Sequence, residues 1–464
     1  MILDPSLECL SRADRHRLQS ERLATLVQRV HARVPFYRRA LDAADIPPES
    51  IRDVSDLPRL PTTVKGDLRD EYPFGMFAVP IGEVIRVHAS SGTTGRPTVA
   101  GYTRADIDTW AQLCARCLAA AGAQPGQMLQ NAYGYGLFTG GLGMHYGAER
   151  LGMTVIPVSG GNTARQIRLL HDFRAVVMTC TPSYALTLAD ALATQGVERG
   201  ALALRTFVLG AEPWTEPMRR EIESRVGVDA LNIYGLSEVI GPGVSGECVE
   251  AKAGSHIFED HFIVEVLHPE THAPLPDGTI GELTFTTLTK EAMPLLRYRT
   301  GDLASVTHEP CRCGRTHARM SRIVGRVDDM LIIRGVNVYP SQIEEALLGA
   351  ADVSAHHLIR VQRRGRLDAL AIEVEAADPL YDRAGADVFS RHAEAGVEDL
   401  RRIEGDVQQR IFGLLNLNVD VTLVPPGTLP RSEGGKLSRV VDERGREGVP
   451  PPDETQRPSG RGSV

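Results

Sequence analysis

The sequence predicts an α/β protein: a large N-terminal domain of mostly parallel sheets with packed helices, a β-rich subdomain, and a small α+β C-terminal domain. Three observations predict this. The chain of 464 residues is too long for one ordinary core. Between about 84 and 240, short apolar strands alternate with longer amphipathic stretches, the pattern of strands and helices in a layered sheet. From 256 to 325 the strands are rich in β-branched residues and separated by turn signals such as PDG, and the composition changes again near Asp328.

Along the chain, residues 7–45 place Leu and Val at three- and four-residue spacing between Arg-rich turns and read as helical. TVIPV (154–158), AVVMTC (175–180) and RTFVLG (205–210) read as strands, interleaved with amphipathic stretches at 104–122, 163–173, 183–195 and 216–226. HFIVEVL, GELTFTTL and GDLASVT build the β-rich subdomain at about 250–325. Beyond Asp328, SQIEEALLGA reads as a helix, HHLIRVQRRGRLDALAIEVEA as a hairpin turning at RRGR, and 386–416 as a helix. The expected domains are therefore 1–327 and 328–442. The tail 443–464, rich in Pro, Gly and charge, cannot bury enough apolar surface to order itself. There is no internal repeat.

Composition removes several classes of function. Hydrophobic residues at 42% and charged residues at 24% are ordinary for a globular protein, and no apolar run approaches the roughly 20 residues that span a bilayer. The start, MILDPSLECLSRADRHRLQ, lacks the apolar stretch and cleavage site of a secretory signal, so a cytoplasmic location is expected and no membrane partner. A net charge of −8 gives no general attraction to nucleic acid. Seven cysteines in so long a chain read as free thiols plus candidate metal ligands. Of 51 basic side chains only Lys65, Lys252, Lys290 and Lys436 are lysine.

The strongest local signal is HASSGTTGRPTVAGYT, residues 88–103. Ser90, Ser91, Gly92, Thr93, Thr94 and Gly95 supply hydroxyls and flexible glycines, so that backbone N–H groups can wrap an anion. The segment lacks the GK[ST] ending of the common P-loop, and a surface turn rich in Ser, Thr and Gly has the same composition. In NIYGLSEVIGPGV (232–244) a strand runs into a turn holding Tyr234, Gly235, Ser237 and Glu238, whose carboxylate suits Mg²⁺ beside bound phosphates. YRTGDL places Asp302 on a glycine-preceded turn, and an acceptor-only carboxylate suits the two hydroxyls of a ribose. GRVDDMLIIRGVNVYP (325–340) crowds Arg326, Asp328, Asp329 and Arg334 around an apolar run, as a hinge or an ordinary hairpin would.

Together with PTTVKGDLRDEYPFGMFAVP, NAYGYGLFTGGLGMHYGAERLG, GAEPW and LPRSEGGKLSRV, these segments resemble, in order, the adenylate-forming enzymes that include acyl-CoA synthetases and luciferase. The likeness is greatest to the phenylacetate–CoA ligase branch, and it covers about residues 1–442. The resemblance implies that a large domain binds ATP and an acid while a small mobile domain closes over them. It implies phosphate contacts from Ser90 to Gly95, Mg²⁺ at Glu238, adenine beside Gly210, Ala211 and Glu212, ribose on Asp302 and Arg326, and a hinge at Asp328. Lys436 matches the near-terminal lysine that reaches the acid and the α-phosphate during adenylation. A carboxylate attacking a phosphate brings anion to anion, so a compact cation and a metal must offset the repulsion. Lys65 belongs to another family segment and is expected either near the phosphates or simply as a helix-start lysine.

Between NAYGYGLFTGG and YGLSEVIGP an acid pocket is expected, lined by Tyr133, Tyr135, Phe138, Gly140, Gly241 and Pro242. Aromatics alternating with glycines leave flat walls and space that suit small aryl acids; core residues supporting the sheet would also be aromatic. Cys248, His256, Cys311 and Cys313 have the number and type of ligands for a closed tetrahedral Zn²⁺, with His317 or His261 as substitutes for His256. Some ligases of the branch carry a structural zinc there. Cys114 and Cys117, three apart on an amphipathic helix, read as packing residues.

The expected partners are thus a small aryl acid, ATP and coenzyme A, in a chain whose relatives are commonly homodimers. Transfer of the adenylate to a carrier protein, amine or other nucleophile is the second reading. A nucleotide-binding protein without turnover is the third.

Overall fold

The computed structural model describes residues 1–90, 97–197, 200–334, 336–364, 367–395, 397–432 and 439–444. One compact unit is built on Met1–Met330 and a second on Leu331–Leu429.

In the first unit an antiparallel hairpin of β1 (Arg86–Ala89) and β2 (Val99–Tyr102) precedes the main sheet. Five parallel strands follow: β3 (Met128–Asn131), β4 (Thr154–Ile156), β5 (Val177–Cys180), β6 (Thr206–Leu209) and β7 (Asp229–Leu236). Their spatial order is β4-β3-β5-β6-β7. Helices Gly140–Arg150, Thr163–Asp172, Pro182–Thr194 and Glu216–Val226 make the crossovers. Three of these start where the sequence supplies a cap. Asn162, Thr181 and Thr215 accept N–H bonds from Arg165, Tyr184 and Met218. Every residue of β5 and β6 is buried, as expected for strands covered on both faces.

Beyond β7 the sheet turns antiparallel, through β8 (Gly241–Glu247) and β9 (Ser255–Ile257). The four-stranded antiparallel sheet is built from β10 (Phe262–Leu267), β11 (Gly281–Thr287) and β12 (Tyr298–Ala304), with β15 (Gly325–Arg326) at its edge. Two short strands between these last two, β13 (Val306–Thr307) and β14 (Arg319–Met320), extend the main sheet to nine strands. Asp302 therefore lies inside a strand, not on a turn. The signal was real but local: the β11–β12 register shifts between Glu282 and Thr284, and Gly301 adopts φ +79°. The N-terminal helical stretch is broken at Pro35, which opens Pro35–Ala43 after Arg12–Arg33, because proline has no N–H to continue a helix.

In the second unit β16 (Leu331–Ile333) and β17 (Val336–Val338) form an antiparallel hairpin. The hairpin of β18 (Val353–Arg364) and β19 (Leu367–Ala376) is flanked by two parallel strands, β20 (Asp420–Val424) on β19 and β21 (Val440–Asp442) on β18. The single helix expected at 386–416 is two helices, Ala386–Ala395 and Glu398–Leu415. His392 marks the break, since its Nδ1 accepts the N–H of the extended Val397 at 2.9 Å. Among the described residues no helix is long and apolar enough to cross a membrane.

Candidate active site

The C-terminal ends of β6 and β7, with β12 and β15, frame a cavity of about 160 Å³ lined by Ala211, Glu212, Trp214, Asn232, Tyr234, Asp302 and Arg326 among others. Residues distant in sequence meet here because Asp302 and Arg326 are register partners across β12 and β15. Tyr234 donates its hydroxyl to Asp302 Oδ2 at 2.7 Å, and Arg326 Nη1 bonds Oδ1. Arg326 also forks onto Asp328, Nε to Oδ1 at 2.8 Å and Nη2 to Oδ2 at 3.0 Å. Burial raises the Asp302 carboxyl above its usual range despite Arg326. Burial works the same way on Asp328, yet the guanidinium hydrogen bonds and charge leave that carboxyl below its usual range.

The floor is held tightly. Gly210 follows β6 where a Cβ would lie 2.4 Å from the Ile233 carbonyl, and Ala211 adopts φ +73°. Glu212 accepts the Ser183 hydroxyl at 2.9 Å. Trp214 Nε1 donates to Asn232 Oδ1 at 2.9 Å, while the Arg219 guanidinium lies 4.9 Å from the Trp214 ring. Arg219 in turn forms a buried bidentate pair with Glu247, at 2.7 and 3.1 Å. Sequence reading missed Trp214, Asn232 and Arg219 as a set, although GAEPW and NIYG contain the first two.

Past β7 the turn Ser237–Ile240 carries Glu238, whose side chain is 7% exposed and has Lys65 Nζ 3.9 Å from Oε1. Lys65 is the first residue of the helix Lys65–Asp70, as the helix-start reading expects. Gly235 is required there, since a Cβ would fall 1.7 Å from the Gly241 carbonyl. Lys290, which sequence reading passed over, donates to the Glu238 carbonyl at 3.4 Å, and burial pulls its pKa down to about 8.

The loop between β3 and the helix Gly140–Arg150 abuts both segments. The Leu137 carbonyl accepts the Ala89 N–H at 3.1 Å and lies 3.0 Å from His88 Nδ1, and Thr139 Oγ1 lies 3.2 Å from Ser237 Oγ. Of its aromatics, Tyr133 is buried in the main core, Tyr135 is half-buried and Phe138 is exposed. Tyr133 is thus a supporting core residue, not an open wall, because alternation in a loop does not fix which ring turns inward. Tyr135 Oη accepts from Asn131 Nδ2 at 2.7 Å and lies 3.1 Å from His145 Nδ1, which fixes its ring. Gly140 packs under Phe138, where a Cβ would sit 2.5 Å from the ring. Gly241 has φ +98°, and the Pro242 carbonyl accepts Trp110 Nε1 at 2.7 Å and the Cys114 thiol at 3.1 Å.

Ser90 is held at the end of β1 by its N–H to the Thr98 carbonyl, 3.0 Å. Ser91, Gly92, Thr93, Thr94, Gly95 and Lys436 lie outside the described residues.

Away from the cleft, Cys248, His256, Cys311 and Cys313 bring one ligand atom each within 4.8 Å of one another. Cys248 follows β8, His256 lies in β9, and the other two cysteines share a turn closed by Gly314 N–H to the Cys311 carbonyl at 3.0 Å. Cys248 and Cys311 sulfurs are 3.7 Å apart, and Cys313 Sγ is 3.3 Å from His256 Nε2. A hydrogen bond from Cys248, then the neighbouring imidazole, pull Cys313 toward thiolate. His256 Nδ1 is buried and has no partner among the described residues. The substitutes bond elsewhere: His261 to Thr289 at 2.7 Å, and His317 beside Glu259 and Asp260 at 3.8 Å. Cys114 and Cys117 are buried packing residues.

At the strand ends the small cleft carries the Tyr234–Asp302–Arg326 cluster. Residues 15–288 match the model of the AMP-binding enzyme family, and 335–444 match that of the AMP-binding enzyme C-terminal domain. A phenylacetate-coenzyme A ligase of Thermus thermophilus is 57% identical over 96% of this chain and 100% of its own length. One of Escherichia coli is 50% identical, over 95% and 98%. The crystal structure of 2-hydroxyisobutyryl-CoA ligase with 2-HIB-AMP, in the postadenylation state, superposes with a TM-score of 0.87 at 29% identity, covering 95% of this chain and 92% of that one. The chain belongs to the AMP-binding, adenylate-forming enzymes. Within them it is an AMP-forming acid–thiol ligase of the phenylacetate–CoA ligase branch.

Proposed function

We propose that this ligase activates phenylacetate or a closely similar aryl acid with Mg·ATP and passes the acyl group to coenzyme A, releasing AMP and pyrophosphate. The observation that carries the reading is identity of 57% and 50% along nearly the whole chain to two phenylacetate-coenzyme A ligases. Local geometry supports it. Asp302 keeps lone pairs free of Tyr234 and Arg326 for the ribose hydroxyls, and Ala211, Glu212 and Trp214 form a wall for the base. Glu238, buried with the Lys65 ammonium 3.9 Å from its carboxylate and the Lys290 charge also acting on it, fits a ligand of the Mg²⁺ that arrives with ATP. Tyr135 and Phe138 offer ring faces beside the β1 segment that leads to Ser90–Gly95. Lys436 supplies the compact cation between carboxylate and α-phosphate.

The Cys248, His256, Cys311 and Cys313 cluster fits a structural Zn²⁺, since three sulfurs and one imidazole nitrogen converge and His256 Nδ1 is left for an outer partner. Such an ion would pin the turn 311–314 to β8 and β9 and take no part in the chemistry.

The test is pyrophosphate release and thioester formation over a panel of phenylacetate, benzoate, anthranilate and short aliphatic acids, with coenzyme A present. Phenylacetate is expected to give the highest kcat/KM, by on the order of 10-fold or more over benzoate, which is one methylene shorter. A short aliphatic acid at the top would refute the aryl reading. Pyrophosphate without a coenzyme A thioester would instead favour a carrier protein or amine as acceptor.

A further inference from the structure

Two of the four lysines in the chain converge on Glu238. Lys65 reaches its carboxylate; Lys290, 3% exposed, reaches its main chain and has no part in the chemistry so far described. Lys290 Nζ donates to the Glu238 carbonyl at 3.4 Å and stands 4.1 Å from the centroid of the Tyr102 ring. The hydroxyl of that same tyrosine lies 3.1 Å from the Ser237 carbonyl and 3.2 Å from that of Ile240. Three of the four carbonyls of the turn are therefore gripped from beneath by one lysine and one tyrosine.

The mount of Lys290 is rigid. Asp106 accepts the N–H groups of Glu291 and Ala292, at 2.6 and 2.9 Å, and the Thr103 hydroxyl donates to the Glu291 carboxylate at 2.8 Å. Both anchors lie at the start of the helix Arg104–Ala120, which is itself buried along most of its length. Burying an ammonium here is costly even with the charges of Asp106 and Glu238 acting on it, since its hydrogen bonding is to one carbonyl and its other close contact is one ring. In a chain that uses arginine almost everywhere, a lysine here also matches the shape of the niche, since a planar five-donor fork would have too few acceptors.

We propose that Lys290 is a positioning residue for adenylation: with Tyr102 it clamps the Ser237–Ile240 turn so that the Glu238 carboxylate faces the Mg²⁺ carried by ATP. This rests on the reading of Glu238 given above. The experiment compares Lys290→Met, which keeps the stem but removes charge and donor, with the parent enzyme. ATP binding is measured at equilibrium with Mg²⁺ and with EDTA, and the two half-reactions are assayed separately.

The expected result is unchanged ATP affinity in EDTA, and a gain in affinity on adding Mg²⁺ that is smaller by on the order of 10-fold, the scale of one lost charge-assisted hydrogen bond. Acid-dependent pyrophosphate release should fall in step, while thioester formation from supplied acyl-adenylate holds. In a Glu238→Gln background Lys290→Met should add nothing further, because both act through one carboxylate. Parental Mg²⁺ dependence in a folded Lys290→Met protein, equal loss in both half-reactions, or additive losses with Glu238→Gln would each overturn the proposal. If Lys290→Met does not accumulate, Lys290→Gln answers by the same assays. A parent enzyme that binds Mg·ATP but releases no pyrophosphate with any acid would defeat the reading of the reaction, while the Mg²⁺-dependent binding still tests Lys290.

Discussion

Replacing Lys436 by alanine is expected to lower acid-dependent pyrophosphate release by on the order of 10³-fold, the scale of losing one preorganised charge at the reacting centre. Thioester formation from supplied acyl-adenylate should stay within about threefold of the parent, because the thiol attacks the carbonyl carbon and no carboxylate has to approach a triphosphate. The asymmetry follows from charge. A carboxylate and a triphosphate repel, and negative charge moves to pyrophosphate as the bond forms, so the cation matters most in that transition state. Stopped assays of each half-reaction, with purified acyl-adenylate for the second, make the comparison. Equal losses in both would show that Lys436 supports the fold or a common binding step.

Removing one ligand of the cysteine cluster should be as costly to the fold as Lys436 is to chemistry. The parent enzyme is expected to carry about one zinc per chain, and Cys311→Ser to lose most of it. The melting temperature should then fall by on the order of 5 °C or more, since ion binding to the folded state adds directly to stability. The cost is large because the ion would tie the Cys311–Gly314 turn to β8 and β9, and the N-terminal segment leans on that turn. Arg315, fully buried, pairs with the buried Glu8 at 2.6 Å, and the Thr316 N–H bonds the Glu8 carbonyl at 3.1 Å. Elemental analysis with thermal melts of both proteins decides it. A metal-free parent, or a variant with unaltered melting, would remove the zinc.

Much of the fold was legible because its strands and crossover helices are local patterns. The apolar runs of β5 and β6, and the Thr and Asn caps of the helices beside them, are visible one segment at a time. Pairing across distance was not. Tyr234 and Asp302 are 68 positions apart and Asp302 and Arg326 are 24 apart, so the family likeness alone joined Asp302 to Arg326, and nothing in the sequence joined Tyr234 to them. Asp302 was misplaced on a turn because glycine before aspartate usually marks one, whereas here a register shift absorbs Gly301 within β12. Spacing in a loop does not say which ring the core will take, and Tyr133 is the one that is buried. Lys290 and Tyr102 were invisible as a pair: each reads as an ordinary residue until the turn between them is built.

The central claim is that the acid is activated as an adenylate before coenzyme A attacks. Phenylacetate labelled with ¹⁸O in its carboxyl group tests it most directly. The carboxylate oxygen that attacks the α-phosphate becomes the bridging oxygen, and when the thiol displaces AMP that oxygen stays on the phosphate. The account predicts one labelled oxygen in AMP and none in pyrophosphate. Unlabelled AMP formed alongside labelled thioester would contradict it.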